Sequence, residues 1–399
     1  MAGVVRELPR LGGVVAVEGT PAWQLVFPEV PHEPSQLWLR DLAACDVSSS
    51  TLRSYGYDLL RWWRFLHVLG VAWERAQRGH VRALVEFLRE SPNPLHLRRS
   101  PDRPPLGSVN AVTGKPNPTP GYAPRTINHQ LTVLHAFYAF ALDMDLGPLV
   151  NPVPQQRAPR GGRPLAHQNP LEPVRRPARA PYRQKVPKTL PRSLPNSAAD
   201  ALFSALRCHR DRALVALWLS SGVRASELLG LRHEWIDYGR KTIRVITKGS
   251  RSLEEVPASA DAFVWLALYL AESGQDGPGM GPVWWTLRNP RRPLTYHAAR
   301  AVLVRANALL GTNYSLHDLR HTAAIRMAND PNFSLVEVQT ILRHASVTST
   351  QIYLQPRLED LIAKMADFHE RRQAAAALPP VMPAGYDEAE LAELLGLPR

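Results

Sequence analysis

Two cysteines in 399 residues, Cys45 and Cys208, are too few and too far apart for a disulfide framework or a cysteine-based zinc site. The opening residues, M-A-G-V-V-R-E-L-P-R, lack the apolar stretch of a secretory signal. Nowhere do apolar residues run to the roughly 18 that a membrane span needs. No internal repeat is visible. Acidic residues are also scarce: 35 stand against 48 Lys and Arg, which leaves a net charge of +13 and an isoelectric point near 10.1. These absences point away from disulfide-rich secreted, membrane-embedded and repeat proteins. They lead us to expect a cytoplasmic, nucleoid-associated protein that works on a polyanion.

The hydrophobic fraction, 45%, is enough for a real core, and 37 prolines mark the joints. Residues 1–33 carry short apolar pieces broken by Gly and Pro and read as an irregular or β-rich arm. Residues 34–151 read as a helical domain. Ser50 offers a cap for a helix whose Leu52, Tyr55, Leu59, Trp62 and Leu66 recur at helical spacing. His80–Arg89 gives a second helix, and a long one runs over Pro124–Met144 beyond a proline-dense loop. From 152 to 195 proline recurs, and ten Lys or Arg face one acid, Glu172, between 152 and 192. Such composition predicts an extended basic strap. Residues 196–372 make a second domain in which helices flank a hairpin: Lys241–Thr247 alternates with period two, Lys248–Arg251 turns, and Leu253–Pro257 returns. Residues 373–399 form a tail.

The richest stretch is 315–356. His317 and Arg320, three apart at a helix start, share one face. Ser334 and Glu337 form a capping box for the next helix, which ends at His344. Tyr353 follows nine residues on. Imidazoles, a guanidinium and a phenol brought by consecutive helices suit an oxyanion with a nucleophile beside it, phosphate above all. Earlier in the same domain Arg224 lies just past a helix-ending glycine, and Lys248 sits on the hairpin turn.

These residues, in G-V-R-A-S-E-L-L-G-L, T-K-G-S-R, L-H-D-L-R-H-T-A-A and L-R-H-A-S-V-T-S-T-Q-I-Y, resemble the tyrosine recombinase (phage integrase) family. The match is strong over 196–356 and weak over 34–152. The resemblance implies a mainly α protein: a helical, SAM-like core-binding domain, then a mixed α+β catalytic domain of the DNA breaking-rejoining type with a small antiparallel sheet. It implies the catalytic set Arg224, Lys248, His317, Arg320, His344 and Tyr353, with Lys248 as general acid, His317 assisting proton transfer and His344 on the scissile phosphate. It implies double-stranded DNA as partner, four protomers on two duplexes, a monomer or weak dimer without DNA, and chemistry without cofactor, ATP or metal.

Glu227, three after Arg224, is expected to orient neighbouring basic groups. DNA-contact candidates are Arg53, Arg61, Arg64, Arg125, Arg175, Arg176, Arg179, Arg251 and Arg343. Arg343 stands where the family often has glycine. His317 and His321 at i, i+4 also fit a metal pair, but H-D-L-R-H lacks the glutamate of H-E-x-x-H, and the cation at 320 would repel a metal. Two other readings stay open: a type IB-like topoisomerase, and a DNA-binding protein that keeps the fold without catalysis.

Overall fold

The computed structural model describes residues 7–94, 104–155, 180–187, 192–247, 250–274, 281–344, 350, 353, 358–377, 387–394 and 396. They divide into two units, Met1–Lys188 and Thr189–Arg399.

The first unit is built on one helix. α2 (Ser49–Leu69) starts where the Ser48 hydroxyl accepts from the Thr51 N–H and stops at Gly70, whose left-handed backbone breaks the helical path. The cap is thus Ser48, not Ser50, which is already inside the first turn. Leu52, Leu59, Trp62 and Leu66 are buried, as their spacing predicts. α1 (Glu33–Ala44), α3 (Arg78–Glu90) and α4 (Pro124–Asp143) are the other long helices among the described residues of this unit. β1 (Gly13–Ala16) and β2 (Trp23–Val26) pair antiparallel as a hairpin. Val14 and Leu25 of that hairpin share one core with Trp38, Trp62 and Phe137, so this part of the expected arm is packed into the unit. Gly56 makes the docking possible: a Cβ there would stand 3.2 Å from both Val14 methyls.

Two of the basic residues expected on DNA prove to be internal ties, because α2 is covered on more than its apolar stripe. Arg64 donates from Nε to the Leu11 carbonyl (2.6 Å) and from Nη2 to the Gly12 carbonyl (3.0 Å), holding the entry to β1. Arg61 lies 2.7 Å from Asp58, also donates to Gln130 on α4, and stacks over the Tyr122 ring. Asp58, itself buried, takes a second bond from His129 at 2.7 Å. Arg53 and Arg125 remain exposed, the former over the Trp23 and Tyr57 rings. Arg175, Arg176 and Arg179 lie outside the described residues. The described end of the basic strap, 180–187, is tied down in the same unit. Asn128 of α4 accepts from the Gln184 N–H (2.7 Å) and donates to its carbonyl (3.0 Å), mimicking a neighbouring strand. Arg183 donates to Thr132 at 2.8 Å.

The second unit centres on α6 (His209–Ser221), which follows α5 (Asn196–Ala205) and leads to the short α7 (Ala225–Leu229). β3 (Ile236–Asp237), β4 (Thr242–Ile246) and β5 (Leu253–Pro257) form one antiparallel sheet in that order, with Ile243 facing Val256 and Val245 facing Glu254. Ile243, Val245 and Val256 turn into the core while Arg244 and Ile246 face out, the period-two pattern read from the sequence. α8 (Ala260–Ser273) packs along α6, and α9 (Tyr296–Leu310) and α10 (Leu316–Asn329) close the core around Trp218 and Trp284. α11 (Leu335–Leu342), α12 (Leu358–Ala377) and α13 (Glu388–Leu394) follow. Ile362, Met365 and Phe368 of α12 are exposed. Among the described residues no helix is long and apolar enough to cross a membrane.

Replacing Gly56 with Leu should lower the stability of the first unit by about 2 kcal/mol, since the added carbons overpack the Val14 contact. Urea unfolding followed by tryptophan fluorescence measures it; an unchanged midpoint would mean that the hairpin does not rest on α2.

Candidate active site

Three helix ends converge in the second unit, and each brings one charged group. α6 ends at Gly222, with φ of +63° and a Cβ position only 2.8 Å from Leu342 and 3.4 Å from Ala323. Only glycine both adopts that backbone and lets α6 approach α10 and α11 so closely. The chain then turns at once into α7, so Arg224 becomes its N-cap residue. Glu227 at the third helical position accepts from the Arg224 backbone N–H at 2.9 Å and from its guanidinium at 2.8 Å. One carboxylate thereby fixes both the turn and the side chain.

α10 starts at Ser315, whose N–H and hydroxyl both reach the Asp318 carboxylate, at 2.7 and 2.8 Å. That start puts His317 on the exposed first turn and Arg320 inside, at 4% exposure. Arg320 donates to the Gly222 carbonyl and, at 2.6 Å, to the Leu342 carbonyl, so it joins the C-terminal ends of α6 and α11. Burial and the neighbouring Arg224 and Arg343 charges draw its pKa down to about 10, which leaves it a cation at neutral pH.

α11 is capped by Ser334 and Glu337, as expected, with the serine N–H and hydroxyl each 2.7 Å from the carboxylate. It ends at Arg343, whose φ of +53° is the left-handed conformation that glycine takes without strain. Arg343, expected on DNA, turns its side chain inward. Its side chain is 5% exposed; it donates to Glu227 at 2.7 Å and to the Ile341 carbonyl at 2.7 Å, while its own carbonyl accepts from Arg224 at 3.2 Å. The turn points the guanidinium inward, where Glu227 draws it. Burial pushes Glu227 up, but Arg343 and Arg224 outweigh this and hold the carboxyl below its usual range.

His344 follows. Its carbonyl accepts from Gln339 at 3.1 Å and its Nδ1 lies 2.8 Å from the Thr350 hydroxyl. Burial, then the charges of Arg320, Arg224 and Arg343, drop its pKa to about 4, so the ring is neutral at physiological pH. Tyr353 is 5% exposed and packs on Ala323, Ala324, Met327, Val338 and Leu342. Its ring stacks on His344, centroids 6.0 Å apart and planes 16° from parallel. Its hydroxyl is 2.9 Å from Nδ1 of His321, and the His321 ring lies 4.0 Å from that of His317. Burial raises the phenol pKa against the opposing pull of Arg320 and Arg224. The phenol is therefore not eased toward ionisation in this state, contrary to what the cationic pocket leads one to expect: dehydration outweighs the guanidiniums.

Arg224, Arg320, His344 and Tyr353 thus gather in one cluster, with Glu227 beneath the arginines and His317 beyond His321. Lys248 lies outside the described residues. Arg251, beside it in sequence, is exposed on the hairpin, in a left-handed conformation. His321 touches the Tyr353 hydroxyl and is absent from the expected set. The sequence carries a signal for it, a histidine one turn after His317 on the same face, but that spacing reads first as half of a metal pair.

Comparison with known proteins covers both units. The model of the phage integrase family matches residues 192–359, and that of its N-terminal SAM-like domain matches 36–99, together more than half of the chain. Tyrosine recombinase XerD of Pseudomonas aeruginosa is 33% identical over 161 residues, 39% of this chain and 53% of that protein. Tyrosine recombinase XerC of Xylella fastidiosa is 38% identical over 149 residues, 36% of this chain and 48% of the relative. The chain therefore spans about half the length of these relatives. The Tn1549 transposon integrase in complex with circular intermediate DNA superposes with a TM-score of 0.52 at 14% identity, over 83% of this chain and 98% of the other. A lambda integrase dimer bound to a COC′ core site gives 0.53 at 14%, over 81% and 77%. At those identities the likeness speaks for the fold alone: two domains, mainly helical, with a small antiparallel sheet. From the two matched models and the recombinase relatives, the chain belongs to the tyrosine recombinase, or phage integrase, family.

Proposed function

We propose that this protein is a site-specific DNA recombinase that cuts and rejoins strands through a 3′-phosphotyrosine, with Tyr353 as nucleophile. One observation carries the reading: the Tyr353 ring stacks on His344, which directly follows the helix end that Arg320 ties to Gly222, two residues before Arg224. A phosphodiester resists attack because its oxygens are already negative. Forked donors from Arg224 and Arg320 hold those oxygens and the added charge of the five-coordinate state. Arg320 spends two of its five N–H donors on carbonyls, which leaves others for phosphate. Neutral His344 hydrogen-bonds the scissile phosphate. Lys248 protonates the departing 5′-oxygen, the assignment taken over from the family. The phosphotyrosine bond stores the energy of the broken strand, so neither ATP nor a metal is required.

The partner is double-stranded DNA, suited to a chain of net charge +13 with Arg53, Arg125 and Arg251 exposed. Four protomers on two duplexes is the working assembly, and the exposed apolar residues of α12, Ile362, Met365 and Phe368, dock on a neighbouring protomer.

A nicked suicide substrate carrying the protein's recombination site tests the chemistry. Wild type should trap a covalent adduct, and Tyr353→Phe none; no adduct with wild type would refute the reading. Arg320→Lys should slow cleavage by about 10²–10³-fold. Because the lysine cannot bridge the Gly222 and Leu342 carbonyls, it should also lower the melting temperature by several degrees. Near-normal cleavage by that variant would remove Arg320 from the mechanism. DNA affinity should fall steeply between about 50 and 200 mM salt, as counterion release requires of a protein holding many phosphates; a flat response would count against a basic clamp.

A further inference from the structure

We infer that His321 is the base that takes the proton of Tyr353 as the phenol attacks phosphorus, and returns it when the strand is resealed. The inference rests on the reading of Tyr353 as nucleophile and gives that reaction a residue outside the expected catalytic set.

The geometry is direct. His321 Nδ1 is 2.9 Å from the Tyr353 hydroxyl, within reach for proton transfer without further movement. A phenol in this buried pocket holds its proton, so the hydroxyl donates and Nδ1 accepts, with the ring's own proton on Nε2. The other candidates for the task are poorly placed. His344 is stacked face to face on the phenol, an orientation that brings ring against ring, and its Nδ1 is engaged with Thr350. His317 sits on the exposed turn with its ring edge against His321. That contact makes His317 the next station on the path to solvent, so the family's proton-transfer histidine acts through His321 and not on the phenol itself.

The step balances. The Tyr353 oxygen bonds to phosphorus as the bond from phosphorus to the 5′-oxygen breaks. The phenol proton moves to Nδ1, leaving an imidazolium. The 5′-oxygen takes a separate proton from the general acid. Resealing reverses each transfer. The groups around His321 include Tyr353, His317 one turn earlier, His344 stacked on the phenol ring, and the Arg320 and Arg224 cations that bear on Tyr353. An imidazolium beside those cations is short-lived, which favours its discharge through His317 or back to the tyrosine.

The test uses the full chain and single-turnover cleavage of the suicide substrate. His321→Ala should slow adduct formation by about 10²-fold or more with DNA affinity unchanged, the range expected for loss of a positioned base. Added imidazole should restore a good part of the rate. His321→Gln fills the space but cannot carry a proton away, and should be as slow as His321→Ala. Placing 3,5-difluorotyrosine at 353 makes the phenol more acidic and should shrink the defect of both variants. The proposal is overturned if either variant cleaves within about threefold of wild type, or if the defect responds to neither imidazole nor fluorination, which would mark His321 as packing only. A wild type that forms no adduct at all would instead overturn the assignment of Tyr353, so the two failures are told apart.

Discussion

The second unit depends on one guanidinium. Arg320 is held at the centre of three helix ends by donating to the Gly222 and Leu342 carbonyls. The last carbonyls of a helix have no partner within it and carry the negative end of its dipole, so a buried cation between two such ends meets two needs at once. The clamp sets the distance between α6 and α11 and hence the placement of Arg224, just after one end, and His344, just after the other. Glycine at 222 is the steric condition for it, because any side chain there would run into Leu342. Structure and proposed chemistry are therefore inseparable at this residue. The group that would grip phosphate is also the pin that aligns the other grips.

Much of this arrangement was legible in the sequence because it depends on local patterns. Capping serines at 315 and 334, the glycine at 222 and the alternation of 241–247 each act within a few residues, and each came out in its element. Arg224, Arg320, His344 and Tyr353, read from their motifs as one set, also lie in one cluster, while His317 stands on an exposed turn beyond His321. What could not be read was which polar groups turn inward. Arg61 and Arg64 stand on a helix face that looks solvent-bound by spacing, yet Asp58 and Gln130 meet the first and two carbonyls at the entry to β1 meet the second. Asp58 is one turn earlier on the same helix, but Gln130 and the two carbonyls come from elsewhere in the fold, and periodicity within one helix carries no trace of them. The β-rich character of the first 33 residues was visible, but the burial of the 13–26 hairpin was not: its apolar faces are too short to signal it, and Gly56 on another element decides it.

His321 and Tyr353 show the opposite case, in which a sequence pattern was visible and its meaning was set by the third dimension. Two histidines one turn apart suggest a metal only if nothing else claims them. Here a phenol from 32 residues later in the chain comes down on the second ring. The small core of Ala323, Ala324, Met327, Val338 and Leu342 supports that phenol. Small side chains on α10 are what allow an aromatic ring to lie so close to the helix and reach its polar face.

Arg343 is the feature on which the electrostatics of the pocket turn. Its backbone takes a conformation that costs an ordinary residue about 1 kcal/mol, where glycine would cost nothing. What the side chain gains is Glu227, which it shares with Arg224. With Arg320 this makes three guanidiniums around one carboxylate, an excess of two positive charges. A phosphodiester carries one negative charge, and its five-coordinate state carries two. On the proposed reading the pocket is therefore better matched in charge to the transition state than to the bound DNA, which is the condition for catalysis rather than tight binding. The same excess depresses His344 to about 4, with burial as the larger cause. Neutral His344 adds a hydrogen bond without a further charge, so the balance set by Arg343 and Glu227 survives down to mildly acid pH. A glycine at 343 would relieve the backbone but leave Glu227 to Arg224 alone, and the pocket would then offer a single excess charge to a dianionic state.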